Sequence, residues 1–167
     1  MEIKNNIITA KECKNRRDEL SKEITKLWNI IKRENVVPKK YRRNYDIEAA
    51  LETIREMAEE RILMKMYLQC INMGYKNYAD LKAENNYLTI FTLSEKQEQL
   101  FHLSKVPTIN TLKKRKLGKK NIDENEIFTF QALAKKRNEL QLEINTLTAK
   151  LEEFNNNASL NISAKAA

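Results

Sequence analysis

The chain has 167 residues and a formal net charge of +8 at pH 7, with 41% hydrophobic and 32% charged residues. This length suits one domain with a substantial core and excludes two independent domains of ordinary size. About half of the residues are Ala, Glu, Lys, Leu or Arg, a composition typical of long helices. We therefore predict an all-α fold over residues 1–155, an elongated antiparallel coiled-coil or helical bundle with three long helices and one short one.

No apolar run approaches the roughly 18 residues of a membrane span, and the N-terminal sequence has no cleavable apolar stretch. We expect a cytoplasmic protein without integral membrane insertion. Cys13 and Cys70 lack the spacing of metal ligands. We expect both to be reduced packing residues rather than a disulfide.

The first helix is predicted over residues 10–36, before Pro38. Thr9 and Glu12 have the spacing of a capping box at its start. One stripe of this helix alternates at intervals of four and three residues, as coiled-coil core positions do; it consists of Cys13, Arg17, Leu20, Ile24, Leu27 and Ile31.

The second helix is predicted over residues 47–73, between the capping residue Asp46 and Gly74, which can adopt the left-handed conformation that ends a helix. Arg61 falls at a core-type position of its heptads. Apolar residues broaden the stripe in the second half of this helix, so we expect more than one partner helix to pack there. These residues are Ile62, Leu63, Met66 and Tyr67.

The remaining helices are predicted over residues 93–104 and 124–155, and residues 75–93 have no clear pattern. Thr92 and Glu95 repeat the capping-box spacing at the start of the third helix, and Asp123 and Glu126 mark the start of the fourth. The tail, residues 156–167, is small and polar, and we expect it to be disordered unless a partner orders it.

The sequence RDELSKEITKL at residues 17–27 is nearly repeated as RNELQLEINTL at residues 137–147. The shared residues fall mainly at coiled-coil core positions. We predict that the first and last helices lie along a common core, with each arginine stem packed and its guanidinium reaching a carboxylate. The helix-seam candidates are Arg17, Leu20, Ile24, Leu27, Arg137, Leu140, Ile144 and Leu147.

Three stretches carry a family resemblance: RRDELSKEITKL in the first helix, LQCINMGYKN at the end of the second, and ALAKKRNELQLEINTL in the last. With Arg17, Asn72, Asn77 and Arg137, this pattern resembles small all-helical bacterial proteins called septicolysin-like, over about half of the chain. The resemblance implies an all-helical fold and no known active site. The family name implies a cytolysin, but this sequence has no amphipathic or apolar segment suited to piercing a bilayer.

Positive charge is concentrated in two predicted connectors, residues 38–43 and 105–120. Consecutive helices joined by short connections run antiparallel, so both connectors are expected at the same end as one positive pole. Such a pole attracts phosphate backbones, lipid headgroups or acidic proteins, although charge runs usually only keep a loop solvated. The anion or nucleic-acid-binding candidates are Lys39, Lys40, Arg42, Arg43, Lys113, Lys114, Arg115, Lys116, Lys119 and Lys120. Tyr41 and Tyr45 can stack on bases or anchor packing.

The sequence offers little material for catalysis. His102 is the only histidine, and Gly74 and Gly118 are the only glycines. These counts exclude a His-rich metal site and a Gly-rich phosphate loop. We predict no catalytic residue, no metal site, no cofactor and no small-molecule substrate.

Two functional interpretations follow. The first is a non-enzymatic helical interaction or scaffold protein that self-associates or binds a protein partner in a larger assembly. The alternative is a basic nucleic-acid-binding protein that uses the positive pole for RNA or DNA. A membrane-surface function ranks third, because basic charge without an anchor gives weak attachment.

Overall fold

The computed structural model of the protein describes residues 7–81, 85–115 and 124–159, and the side chains of all of these except residues 113–115. The chain is mostly helical, as predicted. The helices are α1 (Ala10–Glu34), α2 (Ile47–Asn72), α3 (Tyr87–Ser104), α4 (Ile109–Arg115) and α5 (Phe130–Asn157). Two short strands, β1 (Val36–Pro38) and β2 (Glu124–Glu126), form an antiparallel pair, and a 3₁₀ turn covers Tyr78–Asp80.

The capping signals of the first two helices operate as the sequence predicts. The Thr9 hydroxyl accepts a hydrogen bond from the Glu12 backbone N–H, and the Glu12 carboxylate accepts one from the Thr9 N–H at 2.8 Å. The Asp46 carboxylate accepts hydrogen bonds from the Glu48 and Ala49 N–H groups in the first turn of α2. Gly74 ends this helix with a φ of 79°, a conformation that costs a glycine little.

The later helices begin elsewhere than predicted, because their expected capping carboxylates have other partners. α3 begins at Tyr87 rather than at residue 93, and Glu95 turns inward to bond Arg61 instead of capping. α5 begins at Phe130 rather than at residue 124, since Glu126 belongs to β2 and accepts a hydrogen bond from the Ile109 N–H.

Further differences concern short elements and the tail. α1 ends at Glu34 because Val36 already pairs with Glu126 across the two strands. α4 was not expected from the sequence. α5 continues to Asn157, so the first two residues of the predicted tail are helical, and residues 160–167 lie outside the described part of the chain.

The helices pack as two antiparallel hairpins. α1 lies against α2, and α3 lies against α5, while a smaller contact between α2 and α3 joins the hairpins. The ion pair of Arg16 with Glu60 spans the first hairpin at 2.7 Å, and that of Lys96 with Glu143 spans the second at 2.6 Å. The packing is the helix-on-helix arrangement expected for amphipathic helices.

The main core lies where both hairpins meet the strand pair. It contains Ile24, Trp28 and Ile31 of α1, and the buried Leu133 and Leu140 of α5. The other members of this buried cluster are Ile47, Ala50, Ile54, Leu103, Val106 and Phe128. Burial of this apolar surface is the principal force that holds the two hairpins together at this end.

Candidate interaction surfaces

The two basic connectors meet at one end of the molecule, which we call the connector end: residues 35–46, 105–115 and 124–129. The buried Asn35 side chain ties them together. Its Oδ1 accepts a hydrogen bond from the Phe128 N–H at 2.7 Å, and its Nδ2 donates to the Phe128 and Pro107 carbonyls at 3.0 and 2.7 Å. A single amide therefore fixes the second connector and the segment before α5 to the end of α1, where the first connector begins.

Arg43 has a similar structural place. Its guanidinium donates to the carbonyls of Glu34 at 2.8 Å, Asn35 at 3.1 Å and Asn125 at 2.8 Å. These bonds join the first connector to β2 and occupy much of the donor capacity of the side chain. Arg43 therefore has a structural role, because it holds the first connector against β2 and the end of α1.

The structure describes the other predicted anion-binding residues only in part. Lys39, Lys40 and Arg42 lie exposed on the first connector. The backbone of Lys113, Lys114 and Arg115 belongs to α4, and their side chains are not described. Lys116, Lys119 and Lys120 lie outside the described residues. The structure thus brings the two connectors together, but it describes the side chains of only some of the predicted cations.

The helix-seam candidates divide into a buried and a partly exposed group. Leu20, Ile24, Leu140 and Ile144 are buried, and Leu27 and Leu147 are half-buried. Arg17 pairs with its neighbour Asp18 at 2.8 Å, and the Arg137 guanidinium lies over the Phe130 ring. α1 and α5 share the main core, but each packs most extensively on another helix, α2 and α3 respectively.

A buried ion network joins the two hairpins. Arg61 of α2 is 5% exposed and Glu95 of α3 is 1% exposed. The Arg61 Nε donates to Glu95 at 2.9 Å, and its Nη2 bonds Glu95 and, at 2.6 Å, Glu98. Lys65 reaches Glu95 at 2.7 Å, and the Ser21 hydroxyl accepts from Arg61 at 3.1 Å. Charges of both signs are therefore matched in the interior.

The pKa of Arg61 reflects this matching. Burial opposes its charge, but the hydrogen bonds and charges of Glu95 and Glu98 outweigh burial and raise the pKa above the ordinary value. Arg61 therefore stays protonated throughout the neutral range. Removing one partner alone would leave the other buried charge with only a more exposed partner, Lys65 for Glu95 or Glu98 for Arg61, which is costlier than replacing both.

His102 lies between α3 and α1. Its ring stacks on that of Trp28, with centroids 5.1 Å apart, and its Nδ1 is 2.9 Å from the Lys32 Nζ. Burial first, and then the charge of Lys32, lower the pKa of His102. The lysine donates, so Nδ1 carries no proton. This histidine packs on Trp28, and its neutral form accepts the hydrogen bond from Lys32.

The opposite end of the molecule, which we call the apolar end, is lined by Ile7, Ile8, Tyr67, Ile71 and Tyr78 around a depression of about 840 Å³. Ile7 is 86% exposed and Tyr78 46% exposed. The neighbouring Met73 and Leu88 are also exposed. Exposed apolar side chains gathered on one surface mark an interaction site more often than scattered ones do.

A groove of about 480 Å³ continues from the apolar end between α2 and α3. Tyr78 lines both the depression and this groove, which also contacts Ile62, Leu63, Met66 and Leu88. The sequence predicted a broad apolar surface on this half of α2. The structure places α1 and α3 on parts of it and leaves the groove side open.

The described residues offer little for catalysis. They contain no group of three or more metal-ligating side chains, and none of their helices is long and apolar enough to cross a membrane. Cys13 and Cys70 are buried free thiols whose pKa values burial raises. Buried thiols of this kind are poor nucleophiles.

The fold and these surfaces define a mostly helical protein with two chemically different ends. No protein family model matches the sequence, and no curated protein or solved structure is significantly similar to it. The resemblance to septicolysin-like proteins therefore stays a prediction. Function has to be inferred from the surfaces themselves.

Proposed function

We propose that the protein is a non-enzymatic helical interaction protein that self-associates through its apolar end. The observation that carries this proposal is the separation of surface chemistry between the two ends. Apolar side chains are exposed around Ile7, Ile71 and Tyr78, whereas exposed cations gather at the connector end.

The charge distribution favours a second copy as the occupant of the apolar end. The charged residues between positions 67 and 81 are Lys76 and Asp80, which cancel. Two chains of net charge +8 repel each other least when their neutral ends meet and their basic ends point apart. Such a pairing is isologous, the commonest symmetry of soluble oligomers.

The extent of the apolar end also suits this proposal. A standard interface takes about 800 Å² and roughly 20–30 residues from each partner. The end surface comprises residues 7–9, the 67–81 segment and the start of α3, a set of comparable size. Its aromatic members, Tyr67 and Tyr78, pack edge to face at 5.2 Å, and rigid aromatic side chains are effective interface anchors.

Sedimentation velocity over a wide concentration range tests the proposal. The parent chain should form a dimer, and raising the salt concentration should not weaken it, because salt screens the repulsion between basic ends. The double variant Ile7→Lys/Ile71→Lys should be monomeric. A matched control, Leu142→Lys/Ile127→Lys, adds two lysines at exposed apolar positions elsewhere and should still dimerise.

A parent chain that stays monomeric at its highest soluble concentration would refute self-association. Equal weakening by the control would show that added charge, rather than the apolar end, explains the effect. Circular dichroism on each variant checks that the helices are retained. If the parent is monomeric and forms a stable complex with another protein, while Ile7→Lys/Ile71→Lys does not, the apolar end binds that partner and not a second copy.

Nucleic-acid binding at the connector end is the second candidate function. It is supported by the contact of the two basic connectors through Asn35 and Arg43. Binding to mixed-sequence RNA or DNA should fall steeply as salt rises, and glutamine at positions 113–116 should flatten that dependence. Binding unchanged by these substitutions would exclude the second connector as the site.

A further inference from the structure

The exposed face of α1 carries a stripe of basic residues, the α1 stripe, which is not among the sites predicted from the sequence. Lys22, Lys26, Asn29 and Arg33 follow one another at intervals of four, three and four residues, so they share one side of the helix. All four are exposed. The buried residues of α1, such as Leu20 and Ile24, occupy the other side.

This stripe borders a shallow concave site. With Thr25, Ile30 and Tyr45, it surrounds a depression of about 360 Å³. Three of the lining side chains are cations and none is a carboxylate. A concave surface lined by one sign of charge concentrates its field and attracts the opposite charge.

The cations of the stripe are available for a ligand. Lys22 and Lys26 form no ion pair within the described residues. Of the carboxylates nearby on α1, Asp18 and Glu19 pair with Arg17 at 2.8 Å and Arg16 at 3.6 Å. Glu23, three residues before Lys26, forms an ion pair with neither lysine in the described part of the chain. Arg33 uses its Nε for Glu34, and its side chain is 64% exposed, so its other guanidinium nitrogens face solvent.

An aromatic ring stands at the end of the stripe. Tyr45 is 47% exposed, and the Arg33 guanidinium lies 5.8 Å from its ring centroid. Stacked cation and ring together form a platform for a planar base. From Lys22 to Arg33 the stripe spans roughly 16 Å of helix, enough for a short run of nucleotides.

We propose that this α1 stripe binds single-stranded nucleic acid, with phosphates at Lys22, Lys26 and Arg33 and one unpaired base stacked on Tyr45. The proposal rests on the second candidate function but assigns a different surface, which adjoins the connector end at Tyr45. A base can reach the ring only when it is unpaired, so single strands bind more tightly than duplexes. RNA and DNA share this chemistry.

The test is fluorescence anisotropy of labelled mixed-sequence oligonucleotides, as single-stranded RNA, single-stranded DNA and duplex DNA, titrated with the full chain at several salt concentrations. Lys22→Gln/Lys26→Gln should weaken single-strand binding at least tenfold. It should also lower the slope of log affinity against log salt by about 1.4, since each phosphate contact contributes about 0.7.

Matched variants make the assignment specific. Lys135→Gln/Lys150→Gln removes the same charge from exposed positions of α5 and should have a much smaller effect. Tyr45→Leu should weaken binding about tenfold without changing the salt slope. Tyr45→Phe, which keeps the ring, should bind like the parent. Circular dichroism confirms that each variant remains helical.

Three outcomes would overturn the proposal. The first is an equal loss from the stripe variant and the α5 control, and the second is unchanged binding by Tyr45→Leu. The third is loss confined to glutamine at positions 113–116, which would keep the second candidate function and move its site to the connectors. A parent chain that binds none of the oligonucleotides at low salt would overturn both.

Discussion

Asn35 pairs with Phe128 as one peptide group pairs with another: its side-chain oxygen accepts from the Phe128 N–H, and its side-chain nitrogen donates to the Phe128 carbonyl. The two residues are far apart in sequence, and Asn35 is wholly buried. The same amide also bonds Pro107. One side chain thus joins the end of α1 to the start of the second connector and to the segment just before α5.

Replacing Asn35 with Ala should destabilise the fold by about 2–4 kcal/mol, because several buried backbone groups lose their partners at once. Urea unfolding measures the loss. The control is Asn29→Ala at an exposed position of the same helix, which should change stability by less than about 0.5 kcal/mol. Equal effects at both positions would show that the buried bonds contribute nothing particular.

Arg43→Lys should also destabilise the protein, by about 1–3 kcal/mol, since a lysine cannot serve three carbonyls in one plane. Arg42→Lys on the exposed neighbour should be neutral within about 0.5 kcal/mol. Both substitutions keep the charge, so thermal unfolding separates structural clamping from electrostatics. An Arg43→Lys variant as stable as the parent would contradict the structural role of Arg43.

For the buried network, Arg61→Met alone or Glu95→Leu alone should each cost about 3–5 kcal/mol, because each leaves a buried charge with only its more exposed partner, Lys65 or Glu98. The double variant should be more stable than either single variant. A double-mutant cycle in urea reads out this coupling. Additive losses would mean that the two side chains do not depend on each other.

His102 gives a stability change with a definite sign. Because its pKa in the folded protein is lowered, the unfolded chain takes up a proton first as pH falls through about 6.5. Stability contributed by the neutral ring is full above that pH and declines below it, until the folded pKa is reached. Arg16 lowers the pKa of Glu60, so the stability that this carboxylate contributes is lost only in more acidic solution.

Unfolding experiments between pH 8 and pH 5 should therefore show a steeper decline for the parent than for His102→Phe, which keeps an aromatic ring against Trp28. The comparison concerns the slope and not the absolute stability, because the variant also removes the acceptor for Lys32. Parallel declines would indicate that His102 has the same pKa in both states.

Local signals in the sequence predicted the first two helices well. Thr9, Asp46 and Gly74 act within a few residues of where they stand, so neighbouring backbone groups decide their role. The later capping signals were wrong for the opposite reason. Glu95 and Glu126 found partners distant in sequence, in Arg61 and the Ile109 N–H, and no local pattern encodes such a choice.

The surfaces were predictable only in part. The charge of the two connectors is visible in the sequence, but the role of Arg43 depends on three carbonyls from two segments that are distant in sequence. The α1 stripe was detectable from its helical spacing, because Lys22, Lys26 and Arg33 lie on one side. Its aromatic partner, Tyr45, follows a turn whose path only the structure gives.

The most direct measurement of the central claim is the distance between spin labels in two copies of the chain. Cys13 and Cys70 are buried, with pKa values raised by burial, so a single introduced cysteine can be labelled selectively. Lys76→Cys places the label at the apolar end, and Arg42→Cys places it at the connector end. Both positions are exposed.

Pairing of apolar ends predicts a short intermolecular distance for labels at position 76. Labels at position 42 should give no measurable distance, because α2 and its counterpart, each about 40 Å long, lie between them. A short distance at position 42 and none at position 76 would contradict the account, and so would the absence of any intermolecular signal at both.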